Sequence, residues 1–265
     1  MRLATTPRLC ALALGLALLA TLPLAASAAT PVLGEHVTGG ALDQGWLNGF
    51  GVSNNLQPLT ISSGHPAYPN PSGDGTVGLA QTSTTPDSGG IVLTCMNPGS
   101  LNDYSWEAWV FTGDGNSRRG LIVRADGATL ADADPSNDFS TCYQFVMQSG
   151  LLQFNFRRLV NSAPTTLATW FSNTFPGGSP QINTWHHMKV VAVGNTFRCY
   201  WDGFELTGGT PIVDGTIATG WVGVYNFRFD LGSIPFYVDD LILDDLGVTP
   251  TTRTTWGAVK STYGR

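Results

Sequence analysis

The chain has 265 residues, of which 42% are hydrophobic and only 12% carry a formal charge. Thirteen basic residues oppose nineteen acidic ones, a net charge of −6. The basic stripe that a nucleic-acid partner needs is absent, so no nucleic acid is expected.

The N-terminus reads as an export leader. Arg2 and Arg8 precede an apolar run over residues 9–24, and Ala26-Ser27-Ala28 supplies a small-residue cleavage pattern. Residues 1–28 are therefore assigned as a signal peptide, 29–247 as one domain, and 248–265 as a linker and short tail. A secreted, extracellular or periplasmic protein is expected. No membrane insertion is expected after cleavage, because no later stretch is long and apolar enough to span a bilayer. Loss of Arg2 and Arg8 takes the net charge to −8 and leaves Lys189 and Lys260 as the lysines. Three cysteines remain, Cys95, Cys142 and Cys199; an oxidising compartment permits one disulfide, and their spacing assigns no pair.

Residues 56–88 are rich in Pro, Gly, Ser and Thr and read as loop with one or two edge strands. Beyond them come short β runs, predicted over 91–96, 104–112, 120–125, 142–148, 152–158, 186–193, 196–201, 221–227 and 236–243. Phe197, Cys199 and Trp201 alternate with Thr196, Arg198 and Tyr200, the period of a half-buried strand. Gly194-Asn195 and Asp202-Gly203 are two-residue hairpin turns, since these residues tolerate positive φ. Trp170 follows a Pro-Thr-Thr segment read as loop. The pattern predicts an all-β, two-sheet antiparallel β-sandwich of the jelly-roll type. In the tail, Trp256, Val259 and Tyr263 would share one face of a short helix, suiting an attachment signal or a docked end.

The stretch Asn183-Thr184-Trp185-His186-His187-Met188-Lys189, followed by Arg198-Cys199-Tyr200-Trp201-Asp202-Gly203, resembles laminin-G-like, concanavalin-A-like jelly rolls. Tyr104-Ser105-Trp106-Glu107-Ala108-Trp109, Gly220-Trp221-Val222-Gly223 and Phe236-Tyr237-Val238-Asp239-Asp240 are similar to further strands of that fold. Trp185 reads as a core anchor. Adjacent strand residues face opposite ways, so one of His186 and His187 is expected inside and the other at the surface.

The resemblance implies recognition of a carbohydrate or another extracellular polymer, or of surface proteins. It also touches the 3-keto-disaccharide hydrolase-like group, through Ile122-Val123-Arg124 and Tyr143-Gln144-Phe145, so glycoside hydrolysis is the rival reading. Paired carboxylates of the glucanase type are not legible: beyond the leader the chain has three glutamates, Glu35, Glu107 and Glu205. Glu107 reads as a partner for Arg124 or Arg157. A ligand groove is predicted from Arg124, Gln144, Asn155, Arg157 and Trp170, with Tyr225 and Arg228; the alternative is a structural network across one sheet.

Calcium is the cofactor weighed. Asp132, Asp134 and Asp138 place oxygens at alternate positions, which suits a hard cation. The resemblance implies a second calcium position on the closing strand, at Asp239 or Asp240. The inward one of that pair needs a cation or several N–H donors.

Overall fold

Alternating apolar residues and Gly- or Asp-centred turns force this chain into pleated strands that bury one face each. A computed structural model describes residues 30–35, 56–81, 91–93, 102–112, 117–125, 141–148, 152–176, 178–228 and 235–247. The strands are β1 (Thr30–Glu35), β2 (Leu56–Thr60), β3 (Thr76–Gln81), β4 (Ile91–Leu93), β5 (Tyr104–Thr112), β6 (Ser117–Ala125), β7 (Cys142–Gln148) and β8 (Gln153–Val160). They continue as β9 (Ala163–Phe171), β10 (Trp185–Val193), β11 (Thr196–Trp201), β12 (Phe204–Glu205), β13 (Ile212–Val213), β14 (Trp221–Arg228) and β15 (Pro235–Asp245).

They form two antiparallel sheets. The larger runs β12-β11-β10-β5-β15-β3-β2, with β1 on β15 and β13 on β11. The smaller runs β4-β14-β6-β7-β8-β9. The expected β-sandwich is thus observed, and so are both hairpins: β10 and β11 pair from Val193 opposite Thr196, and β11 and β12 from Trp201 opposite Phe204. Among the described residues no helix is long and apolar enough to cross a membrane.

The core between the sheets holds Trp106, Val110, Leu121, Val123, Phe145, Phe154, Phe156, Met188, Phe197, Cys199 and Trp201. Trp106 sits on β5 of the larger sheet, and its Nε1 donates to the Gly223 carbonyl of β14 at 2.8 Å. This bond satisfies a buried indole N–H and pins one sheet to the other. Burial pushes the Cys199 thiol up. Cys95, the leader and the tail lie outside the described residues.

Trp185 departs from its expected role. Its register partner is Phe111, and both belong to a separate cluster with Val77, Tyr237, Ile61 and Ala67. That cluster lies on the outer face of the larger sheet, beneath the 61–75 loop, and Trp185 Nε1 donates to the Ala67 carbonyl at 2.9 Å. Strand alternation explains this: His186, next in the chain, is the inner residue.

Segment 163–171, read in part as loop, is a full strand at the edge of the smaller sheet. Its side chains are mostly exposed, so hydrophobic alternation gave no signal there.

Candidate functional site

The residues predicted to line a groove do not share one place. Gln144, Asn155, Arg157 and Tyr225 do fall on one face, the outer face of the smaller sheet. The register sets Gln144 opposite Arg157 and Val146 opposite Asn155, while Tyr225 faces Gly120. That face is buried: Gln144 and Tyr225 are 0% exposed, Asn155 4% and Arg157 6%. Arg157 donates to Gln144 Oε1. Asn155 Oδ1 accepts from Gln153 Nε2 at 3.0 Å and from Thr169 Oγ1 at 2.9 Å. Tyr225 packs with Ile122, Ala125, Cys142, Val146 and Leu159. Gln144, Asn155 and Arg157 are buried in this structure and hydrogen-bonded to their neighbours on the sheet.

Arg124 and Trp170 leave that face altogether. Strict alternation from Ile122 would put Arg124 beside Gln144, but the β6–β14 register shifts there and Arg124 has φ +53°. The bulge turns the side chain into the sandwich, where its guanidinium lies 4.8 Å from the Phe197 ring centroid. It donates to the carbonyls of Ile217 (3.0 Å), Asn102 (3.0 Å) and Gly194 (2.6 Å). Arg124 is a buried strut joining three loops. Trp170 pairs with Phe154 and meets Phe145 edge-on at 6.1 Å, so it packs against the core. Arg228 ends β14. Asp132, Asp134 and Asp138 lie outside the described residues.

Glu107 finds neither expected arginine. It stands opposite Lys189 in the β5–β10 register, and Lys189 Nζ approaches Glu107 Oε2 to 2.6 Å. The pair sits on the outer face of the larger sheet, in the row next to Trp109 and His187.

Two cavities lie at that end of the molecule. One, of about 540 Å3, is lined by Trp109, Thr184, Trp185, His186, His187, Asp202 and Gly203. Its size falls within the usual range of small-ligand sites. Trp109 and His187 are register partners with ring centroids 5.2 Å apart. Trp185 is fixed by its bond to Ala67 and by an edge contact with Phe111 at 5.5 Å. The Asp202-Gly203 turn closes the site. Asp202 Oδ1 accepts from the His187 backbone N–H at 2.8 Å, and its Oδ2 meets His186 Nδ1 at 2.7 Å.

The two histidines divide as alternation requires. His186 is buried, stacked on Trp201 at 4.7 Å, and its Nε2 lies 2.9 Å from the Gln181 carbonyl. Both of its ring nitrogens thus already have partners within the fold. His187 faces the larger cavity. Burial first lowers its pKa from the ordinary value, against the opposing pull of Glu107. The neutral ring is an acceptor and a donor at once.

A second polar centre forms under the 61–75 loop. Asp239 is buried, with its side chain beside the loop rather than between the sheets. Its Oδ2 accepts from Ser72 N at 2.9 Å and Asn70 Nδ2 at 3.0 Å, and its Oδ1 from Asp240 N at 3.0 Å. Asp240 has φ +46° at the bulge in β15, which rotates it away from its neighbour. Burial raises the Asp239 pKa, and the Ser72 N–H opposes that rise. Asn70 Nδ2 also contacts Ser72 Oγ (2.7 Å), Asp74 Oδ1 (3.0 Å) and the Thr76 carbonyl (2.9 Å). Four oxygens, two of them carboxylate, thus converge on one nitrogen that carries two hydrogens. Such a set of oxygens fits a hard cation.

No family profile matches the chain, and no curated protein matches it. Among solved structures, the cellulose-induced protein Cip1 is similar over 80% of this chain and 96% of its own, with 11% identity and a TM-score of 0.50. A carbohydrate-binding module, CBM66 from Bacillus subtilis, aligns over 76% of this chain and 96% of its own, with 16% identity and a TM-score of 0.49. The binding domain of botulinum neurotoxin serotype G aligns over 82% of this chain and 48% of its own, with 11% identity and a TM-score of 0.47. The fold is the concanavalin-A-like jelly roll expected from the sequence.

Proposed function

We propose that this domain is a carbohydrate-binding module whose ligand occupies the Trp109–Trp185–Asp202 cavity. The observation that carries the reading is the cavity itself. Two tryptophans, one of them held rigidly by Ala67 and Phe111, line a space of about 540 Å3 beside an aspartate and a histidine. Sugars are held in this way, with aromatic faces against C–H surfaces and a few fixed polar groups aimed at hydroxyls. A rigid platform limits the ordering entropy lost on binding. Among the described residues the lining carries no Lys or Arg, which disfavours an anionic ligand. Cip1 is a cellulose-induced protein, which is in keeping with the reading. Binding rather than hydrolysis is favoured because His186 and Asp202 are bonded to each other and each has a further backbone partner. A neutral-glycan array, scored with purified protein, is the test. Reproducible capture of a neutral polysaccharide or its oligomers supports the proposal; release of reducing ends from the same glycans would favour the hydrolase reading.

Calcium is proposed as a structural ligand at Asp239, with Asp74, Ser72 and the Thr76 carbonyl as its other oxygens. The four-oxygen convergence on Asn70 Nδ2 supports this. A ligand at 100 times its dissociation constant adds about 2.7 kcal/mol of stability. In a domain of this size that raises Tm by roughly 5–10 °C. The expected pH dependence follows from the raised Asp239 pKa. Without cation, its contribution is present below the ordinary aspartate value of 3.8 and is lost as pH rises through the higher folded value. The calcium-induced rise in Tm therefore grows with pH above 3.8, and Asp239→Ala removes it. A Tm indifferent to calcium and chelator at pH 7 would remove the metal from the account.

A further inference from the structure

A second cavity, of about 400 Å3, adjoins the first and shares Thr184, His186 and Asp202 with it. Its other walls are Phe175, Pro176, Gly178, Ser179, Pro180, Gln181, Trp201 and Phe204. The first cavity lies on the outer face of β10, against Trp185 and His187. The second lies around the end of the same strand, against the inward residue His186 and the core ring Trp201 stacked on it.

Trp201 is 3% exposed, and its buried Nε1–H has no hydrogen-bond partner. Such a donor is rare in a folded protein, because an unmet N–H costs about 1–3 kcal/mol. The neighbouring Trp106 and Trp185 both satisfy theirs. Of the three indoles, Trp201 is the one left without an acceptor, and it lines the second cavity. Phe204, 44% exposed, offers an aromatic face at the same mouth, and among the described residues no Lys or Arg lines either space.

We infer that the two cavities form one continuous binding site for at least two sugar units, with a hydroxyl or ring oxygen of the second unit accepting from Trp201 Nε1–H. This rests on the carbohydrate reading above and specifies it: the ligand is an uncharged oligosaccharide or a polysaccharide end, not a free monosaccharide.

The test uses the full chain with glucose, xylose and mannose, and with cellopentaose, laminaripentaose, xylopentaose and mannopentaose. Calorimetry is expected to show at least one pentamer binding tenfold or more tightly than its monomer. Trp201→Phe keeps an aromatic ring and deletes the N–H, and is expected to weaken that pentamer about three- to tenfold. Should the variant fold poorly, the wild-type protein labelled with 15N at tryptophan still answers. The Trp201 indole N–H resonance is expected to shift on titration with the pentamer and to stay put with the monomer. A pentamer that binds no more tightly than its monomer, with the Trp201 resonance unmoved, overturns this inference and leaves the Trp109 site standing. Failure of every sugar to bind overturns both.

Discussion

Arg124→Leu is expected to remove a large share of the domain's stability. The guanidinium is fully buried and spends its donors on the carbonyls of Ile217, Asn102 and Gly194. Leucine is close in bulk but donates nothing. It frees three carbonyls, and the buried one, of Ile217, is left unmet at a cost of about 1–3 kcal/mol, with smaller losses at the half-buried bonds to Asn102 and Gly194. The loss is expected to be about 3 kcal/mol, against a total stability of about 5–15 kcal/mol. The tie is also topological: Asn102 precedes β5, Gly194 turns β10 into β11, and Ile217 precedes β14, so one side chain holds three connections at one end of the sandwich. Arg124→Lys is expected to recover only part of the loss, because one ammonium cannot reproduce the planar fork. Urea denaturation gives the comparison. A leucine variant within about 1 kcal/mol of wild type would mean that the three carbonyls find water.

Trp109→Ala is expected to weaken glycan binding by about 2 kcal/mol, roughly thirtyfold, as loss of an aromatic hot spot does. Its ring is only half-buried and pairs with His187, so the fold should survive the change. The informative control is Gln144→Leu. Gln144 lies on the other sheet, wholly buried, with its Oε1 held by Arg157. It alters stability but is expected to leave affinity within about twofold of wild type, in keeping with distant sites acting independently. Calorimetry on both variants separates the cavity from the sheet face. Equal losses at both positions would show that the readout follows folding, not contact.

The sandwich was legible because its cues are local. Alternation in Thr196–Trp201 and the turn pairs Gly194-Asn195 and Asp202-Gly203 each act over a few residues. The division of His186 and His187 followed from the same period. Where the reading failed, something non-local intervened. A bulge turned Arg124 from one face to the other, and no residue type near it marks the shift. Glu107 pairs with Lys189 because β10 lies beside β5, a neighbour relation that sequence order does not disclose. Gln144, Asn155 and Arg157 share one face of the smaller sheet, but whether that face is open or covered depends on the tertiary fold. The Trp109–Trp185 cavity was missed for that reason too: its walls come from β5, β10 and the 202–203 turn. The available signal was the Asp202-Gly203 turn beside a Trp-His-His strand, which was read for fold alone. Asp239 was singled out, yet its partners Asn70 and Ser72 sit in a segment read as loop with one or two edge strands.

The central claim is that glycan occupies the Trp109–Trp185–Asp202 cavity, and chemical-shift mapping tests it most directly. The 15N-labelled protein is titrated with the oligosaccharide that scores highest on the array. The account predicts that the largest perturbations fall on Trp109, Trp185, His187, Asp202 and Gly203, with Gln144, Asn155 and Arg157 unmoved. Perturbations centred on Gln144, Asn155 and Arg157, with Trp109 and Trp185 silent, would contradict it and return the site to the outer face of the smaller sheet.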